Sequence, residues 1–96
     1  MKNECQLACL MMHFLGRVQG VGFRYSVRSI AQDFQVAGYV KNLKNGSVEV
    51  CAEGEERDLI AFRSAIGKSR LAPYIVDIYE EWLPYKGIFT AFAIDY

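Results

Sequence analysis

Apolar residues recur along this chain in two rhythms, every second position in the extended stretches and every third or fourth position in two others. Leu10, Met12 and Phe14 share one side of an extended segment over residues 7–15, stopped by Gly16. Its other side, with Cys9, Met11, His13 and Leu15, is unusually apolar for a face turned to solvent. Phe23, Val27, Ile30, Ala31 and Phe34 then fall at i, i+4, i+7, i+8 and i+11, with Arg28, Ser29, Gln32 and Asp33 turned away. That spacing predicts an amphipathic helix ending before Gly38. Residues 38–43 alternate as a strand, Lys44-Asn45-Gly46 carries a strong hairpin signal, and residues 47–53 return with Val48 and Val50 on one side. Gly54 is expected to break that strand, and Glu55 and Glu56 suit the start of a second helix. Leu59, Phe62 and Ile66 mark its buried face, and it ends near Gly67. Residues 68–73 read as a linker, 74–82 as a strand, 84–87 as a turn and 88–96 as a last strand.

This order predicts an α+β fold, the ferredoxin-like βαββαβ sandwich, with two helices on one face of an antiparallel sheet and an additional short C-terminal strand. In that topology the first two strands run the same way, with the third antiparallel between them. The loop leaving the first strand therefore meets Asn42, at the end of the second, along one edge of the sheet.

Composition narrows the picture further. The 96 residues suit a single domain over residues 1–96, with 52% apolar and 23% charged residues, and can bury a core without a metal or a disulfide framework. Eleven acidic and eleven basic residues cancel, so no surface is built for nucleic acid or anionic lipid, and any anion site must be local. The apolar run at residues 7–12 is too short to span a membrane and lacks the flanks of an export signal, so the expected address is the cytoplasm. Cys5, Cys9 and Cys51 lack zinc-ligand spacing, and their odd number does not fit a disulfide scaffold. The topology sets Cys9 and Cys51 in neighbouring antiparallel strands; free thiols are the expectation there, a cross-strand disulfide the alternative.

Chemistry concentrates in Gly16-Arg17-Val18-Gln19-Gly20-Val21-Gly22-Phe23-Arg24. Glycines let successive backbone N–H groups turn inward at positive φ, and a helix beginning near Phe23 adds its positive end, on the order of half a charge. Arg24, in the first turn, can fork two parallel N–H bonds onto one oxyanion. The stretch reads as a cradle for phosphate or carboxylate. Read alone, it is equally well explained as loop geometry.

Together with Gly38-Tyr39-Val40-Lys41-Asn42-Leu43-Lys44-Asn45-Gly46-Ser47-Val48-Glu49-Val50, this stretch resembles the pair of signature segments of acylphosphatases. The resemblance extends over the whole chain, including the closing strand Phe92-Ala93-Ile94-Asp95-Tyr96. It implies hydrolysis of the carboxyl-phosphate anhydride to a carboxylate and inorganic phosphate, with no metal, no other cofactor and no covalent enzyme intermediate. By motif position Arg24 would bind the phosphoryl group and Asn42 would position the attacking water. The N–H groups of Gln19, Gly20, Val21, Gly22 and Phe23 would complete the cradle. The implied partner is a small-molecule acyl phosphate, handled by a monomer without nucleic acid or membrane.

The remaining polar groups have simpler readings. Arg17 suits a surface charge, Asn45 and Gly46 the hairpin turn, and His13 a structural role on its strand. Glu49, Glu53, Asp77, Glu80 and Glu81 read as solvated positions on strands and their ends, and Phe23, Phe34, Phe62 and Phe92 as core. Ferredoxin-like folds also host RNA-binding and regulatory modules, and acylphosphatase-like domains occur fused within carbamoyl-transfer maturation proteins. A basic sheet face with exposed aromatics would favour RNA, and His13, Met11, Glu49 and Cys51 do not supply one.

Overall fold

A computed structural model describes residues 6–96; Cys5 and the other residues before Gln6 lie outside the described residues. The strands are β1 (Leu7–Gly16), β2 (Val36–Asn42), β3 (Val48–Glu55), β4 (Ile75–Leu83) and β5 (Phe92–Asp95), and the helices α1 (Phe23–Ala31) and α2 (Glu56–Gly67). The sheet order is β4-β1-β3-β2-β5. Inward residues Leu10, Met12, Phe14, Val40, Val48, Val50 and Ala52 form one core with Phe23, Val27 and Ala31 of α1 and Leu59, Phe62 and Ile66 of α2. Both helices therefore cover the same face, as the alternating pattern requires.

β3 pairs antiparallel with β1 on one side and β2 on the other, and β4 pairs antiparallel with β1. β5 instead lies parallel to β2, from Gly38 opposite Phe92 to Lys41 opposite Asp95, which makes the sheet mixed. The cause is topological. The chain leaves β4 at one edge and reaches the other edge by crossing the sheet on the face away from the helices. Residues 84–91 make that crossing. Glu53, only 4% exposed, accepts hydrogen bonds from the backbone N–H groups of Lys86 (2.8 Å) and Gly87 (3.2 Å), and Phe89 packs on Tyr39 with ring centres 5.9 Å apart. The last strand is accordingly shorter than residues 88–96, because Ile88 and Phe89 cover the outer face instead of pairing. The expected linker also acquires a short 3₁₀ turn, Ala72–Tyr74, before β4.

Gly54, expected to break the third strand, lies inside it, and Gly38, expected as the first residue of the second strand, lies two residues within it. Gly38, at φ 152°, sits within β2, and a side chain there would meet the carbonyl oxygen of Cys51 at 1.8 Å. Gly54 continues β3, where a side chain would meet the Gln35 carbonyl oxygen at 2.7 Å. Both glycines permit close backbone approach, a role that leaves the same sequence signal as a break. Glu49 and Glu53 also depart from the solvated reading: each accepts two hydrogen bonds, and Glu53 is buried.

Gly38→Ala should lower stability by about 2 kcal/mol or more, since the new methyl can be seated only by parting β2 from β3. Urea unfolding reads this as a lower midpoint at unchanged slope. A loss below about 0.5 kcal/mol would show that the strands give way easily.

Candidate active site

The double pairing of β3 sets three residues in one row across the sheet: Phe14 on β1, Val48 on β3 and Asn42 on β2. Two residues beyond Phe14, β1 ends at Gly16 with a shift in register, where a side chain would strike the Tyr74 carbonyl oxygen at 2.2 Å. The loop to α1 thus begins beside the end of β2.

Within that loop Gly20 (φ 80°) and Gly22 (φ 74°) take left-handed backbone, which turns neighbouring N–H groups toward a common centre. Gly22 caps α1 with no side chain bonded to the first-turn amides. Among the described residues, no protein acceptor takes the backbone N–H of Gln19, Gly20, Val21, Gly22 or Phe23. Val18 and Phe23 anchor the loop from below, both essentially buried. The result is a row of free donors on a fixed frame.

A cavity of about 190 Å³ opens above this frame, lined by Val18, Gly20, Gly22, Phe23, Arg24, Tyr25 and Asn42. The structure thus brings Arg24, Asn42, Gly20, Gly22 and Phe23 around one space, from positions as much as 22 residues apart in sequence. Among the described residues the Arg24 guanidinium has no anionic partner; its carbon lies 5.0 Å from the centre of the Tyr96 ring. Stacking of that kind holds a cation in place without neutralising it. Among the described residues the Asn42 side-chain amide likewise bonds no other protein group.

Gln19 and Val21 do not line the cavity. The Gln19 side chain turns to the β2–β3 hairpin and donates to the carbonyl oxygens of Leu43 (2.8 Å) and Ser47 (2.9 Å). It ties the loop to the segment that carries Asn42. The hairpin is set by Gly46 at φ 92° and by Asn45 Oδ1, which accepts from the backbone N–H of Ser47 at 3.0 Å and its hydroxyl at 2.6 Å.

Sequence reasoning missed Val18, Tyr25 and, above all, Arg70. Arg70 lies in the expected linker, yet it donates to the carbonyl oxygens of Val21 (2.8 Å) and Gly22 (3.2 Å) and to the Ser26 hydroxyl (3.1 Å). No local signal marks it, because its partners stand 44 to 49 residues away.

The family profile of acylphosphatases, described simply as "Acylphosphatase", matches residues 10–94. The chain belongs to the acylphosphatase family. An acylphosphatase from Caldanaerobacter subterraneus is 40% identical over 86% of this chain and 92% of its own length. The crystal structure of acylphosphatase from Bacillus subtilis superposes with a TM-score of 0.85 at 36% identity, covering 95% of this chain and all of that one. The full-length HypF protein, in a phosphate- and nucleotide-bound form, also matches at TM-score 0.80 and 28% identity, over 99% of this chain and 12% of its own. As a member of the acylphosphatase family, the chain is a hydrolase, and its substrate class is small acyl phosphates.

The other polar constellation lies on the outer face. His13 Nε2 meets Glu49 Oε1 at 2.9 Å, and the Tyr39 hydroxyl donates to Glu49 Oε2 at 2.6 Å. Burial alone would raise the Glu49 carboxyl, but the bonds from Tyr39 and His13, with the nearby charges of His13 and Lys41, outweigh it and hold Glu49 below the usual carboxylate range. Cys9 and Cys51 are free thiols with sulfurs 3.5 Å apart. They sit diagonally, since Cys9 pairs with Glu53 and Met11 with Cys51. Burial, then the Cys9 contact, pushes the Cys51 thiol up to about 12. Among the described residues no three His, Cys, Asp or Glu side chains converge as a metal-holding group, and no helix is long and apolar enough to cross a membrane.

Two outcomes are expected. Gln19→Ala should cost about 1–2 kcal/mol of stability in urea unfolding by losing both bonds to the hairpin, and an unchanged midpoint would show that the tie carries no energy. Because the folded Glu49 value is depressed, its contribution is fully present above the ordinary glutamate value of about 4.3 and is lost as pH falls through the folded value. Unfolding curves from pH 7 to 3 should therefore show a shallower acid limb in Glu49→Gln than in the native sequence; identical limbs would remove Glu49 from the acid response.

Proposed function

We propose that the chain hydrolyses the carboxyl-phosphate bond of acyl phosphates without a metal, as a single-domain enzyme, releasing a carboxylate and inorganic phosphate. The observation that carries this reading is the convergence on one 190 Å³ cavity of backbone donors, the Arg24 cation and the Asn42 amide, none of them paired among the described residues. An acyl phosphate is an activated substrate whose carboxylate leaves without a proton. What the protein must supply is charge and position: donors aimed at the phosphoryl oxygens, and a water in line with the leaving group.

Arg24 and the N–H groups from Gln19 to Phe23 hold the phosphoryl group; the side chains of Gln19 and Val21 stay outside. Asn42, across the cavity on β2, orients water by accepting a hydrogen bond from one of its protons at the amide oxygen. An amide is too weakly basic to take that proton, which passes instead to a phosphoryl oxygen of the substrate. The phosphate named for the HypF structure is consistent with an anion-binding role for this domain. A non-catalytic role inside a larger assembly is the second reading, and the same match favours it. The match to 92% of the Caldanaerobacter acylphosphatase supports the self-standing enzyme.

Hydrolysis of benzoyl phosphate, followed by loss of its ultraviolet absorbance with a chelator present, tests the reading. Asn42→Ala should lower turnover by roughly 10²-fold or more while the affinity for inorganic phosphate changes little. Arg24→Ala should damage both, and Arg24→Lys should stay poor because the two-pronged contact is lost. Near-native turnover in Asn42→Ala would remove it from the mechanism, and phosphate binding without any hydrolysis by the native chain would leave the recognition module.

A further inference from the structure

We infer that Arg70 is a positioning residue for the anion cradle, acting through the Gly22 and Phe23 amides; this rests on the reading of the loop as the phosphate site. Its own backbone is fixed from both sides. Ser69 Oγ donates to the Ile66 carbonyl oxygen (2.7 Å) and accepts from the Leu71 N–H (3.1 Å), and Leu71 is fully buried. From this anchored turn the guanidinium reaches back to the loop, where Nη2 bonds the Val21 and Gly22 carbonyl oxygens and Nε the Ser26 hydroxyl. A planar fork meets these three acceptors from two nitrogens in fixed directions, where a lysine ammonium would have to meet all of them from one atom.

Those two carbonyls are significant because of what lies at the other end of each peptide. The Val21 carbonyl shares its unit with the Gly22 N–H, and the Gly22 carbonyl with the Phe23 N–H. In a planar trans peptide the two groups point in opposite directions, and the described chain has no cis bond. Arg70 holds the Val21 carbonyl and reinforces the Gly22 carbonyl, which also accepts the Ser26 N–H at 3.1 Å, and so turns both N–H groups to the other side, where Gly22 and Phe23 line the cavity. Hydrogen bonding at the carbonyl also polarises each unit and strengthens the donor opposite. Gly22 has a second reason to be glycine here. A side chain on it would lie 2.9 Å from Arg70 Nη2, so the guanidinium occupies the space a Cβ would need.

Arg70 is exposed, so its bare charge is screened within about 8 Å at physiological salt, and its effect on the cavity runs through peptide orientation. This separates positioning from long-range attraction in a measurable way. Arg70→Met and Arg70→Lys, checked for native melting behaviour, are compared with the native chain by calorimetric titration of inorganic phosphate at low and high salt. Amide ¹⁵N order parameters are measured on the ligand-free proteins.

Arg70→Met should raise the phosphate Kd roughly tenfold at both salt concentrations, with KM following and kcat within about threefold. The order parameters of Gly22 and Phe23 should drop from about 0.85 to below about 0.7. Arg70→Lys should recover less than half of the affinity loss. Full recovery by lysine, or a loss that vanishes in high salt, would show a remote charge and overturn the positioning role. So would unchanged affinity and order parameters in Arg70→Met. If the native chain neither binds phosphate nor hydrolyses acyl phosphates, the catalytic reading fails, and the order parameters alone still decide whether Arg70 holds the loop.

Discussion

β3 hydrogen-bonds along both of its sides, and the alignment of β1 with β2 follows from that double pairing. Through Val48 it fixes Phe14 and Asn42 in one row, and so fixes where the loop after β1 stands relative to the end of β2. A register error of one residue would turn Leu10, Met12 and Phe14 out of the core together. The spacing between loop and asparagine is therefore guarded by the burial of the whole inner face, not by local contacts. Gln19 adds a fine adjustment on top of it.

The frame allows the loop to hold an arrangement that would be unfavourable in isolation. Five backbone donors and a cation that, among the described residues, lack acceptors and a counterion repel one another and prefer water. Buried Val18 and Phe23 pin the loop from beneath, the Tyr96 ring flanks Arg24, and Arg70 binds the loop's outward carbonyls. On the proposed reading, an anion of the right size completes the set, and folding meets the cost of ordering the donors before any substrate arrives, which is the physical meaning of preorganisation.

Much of this was legible in the chain itself. The spacing of Phe23, Val27 and Ala31, and of Leu59, Phe62 and Ile66, located both helices and their buried faces, and the Asn45-Gly46 turn located the β2–β3 hairpin. The candidate cluster was legible because ferredoxin-like topology places Gly20 to Arg24 and Asn42 on one edge. Gly54 misled, since a glycine that permits close backbone approach looks in sequence like one that ends a strand. The parallel seating of β5 and the role of Glu53 depend on where a crossing segment lies, which periodicity does not encode. Arg70 was invisible for the same reason: its contacts are made by tertiary placement alone.

The parallel seating of β5 also bears on how copies of the molecule behave toward one another. It covers the open side of β2 with four residues and leaves nine-residue β4 as the longer of the two edge strands. That edge exposes Val76 and Tyr79, but Asp77, Glu80 and Glu81 interrupt it on both faces, with Asp77 and Glu81 on the outer side and Glu80 beside Arg63 of α2. A second copy adding antiparallel to β4 would set carboxylates against carboxylates along the new ladder. The acidic residues of β4 thus guard against fibrous self-association along the longer of the sheet's two open margins.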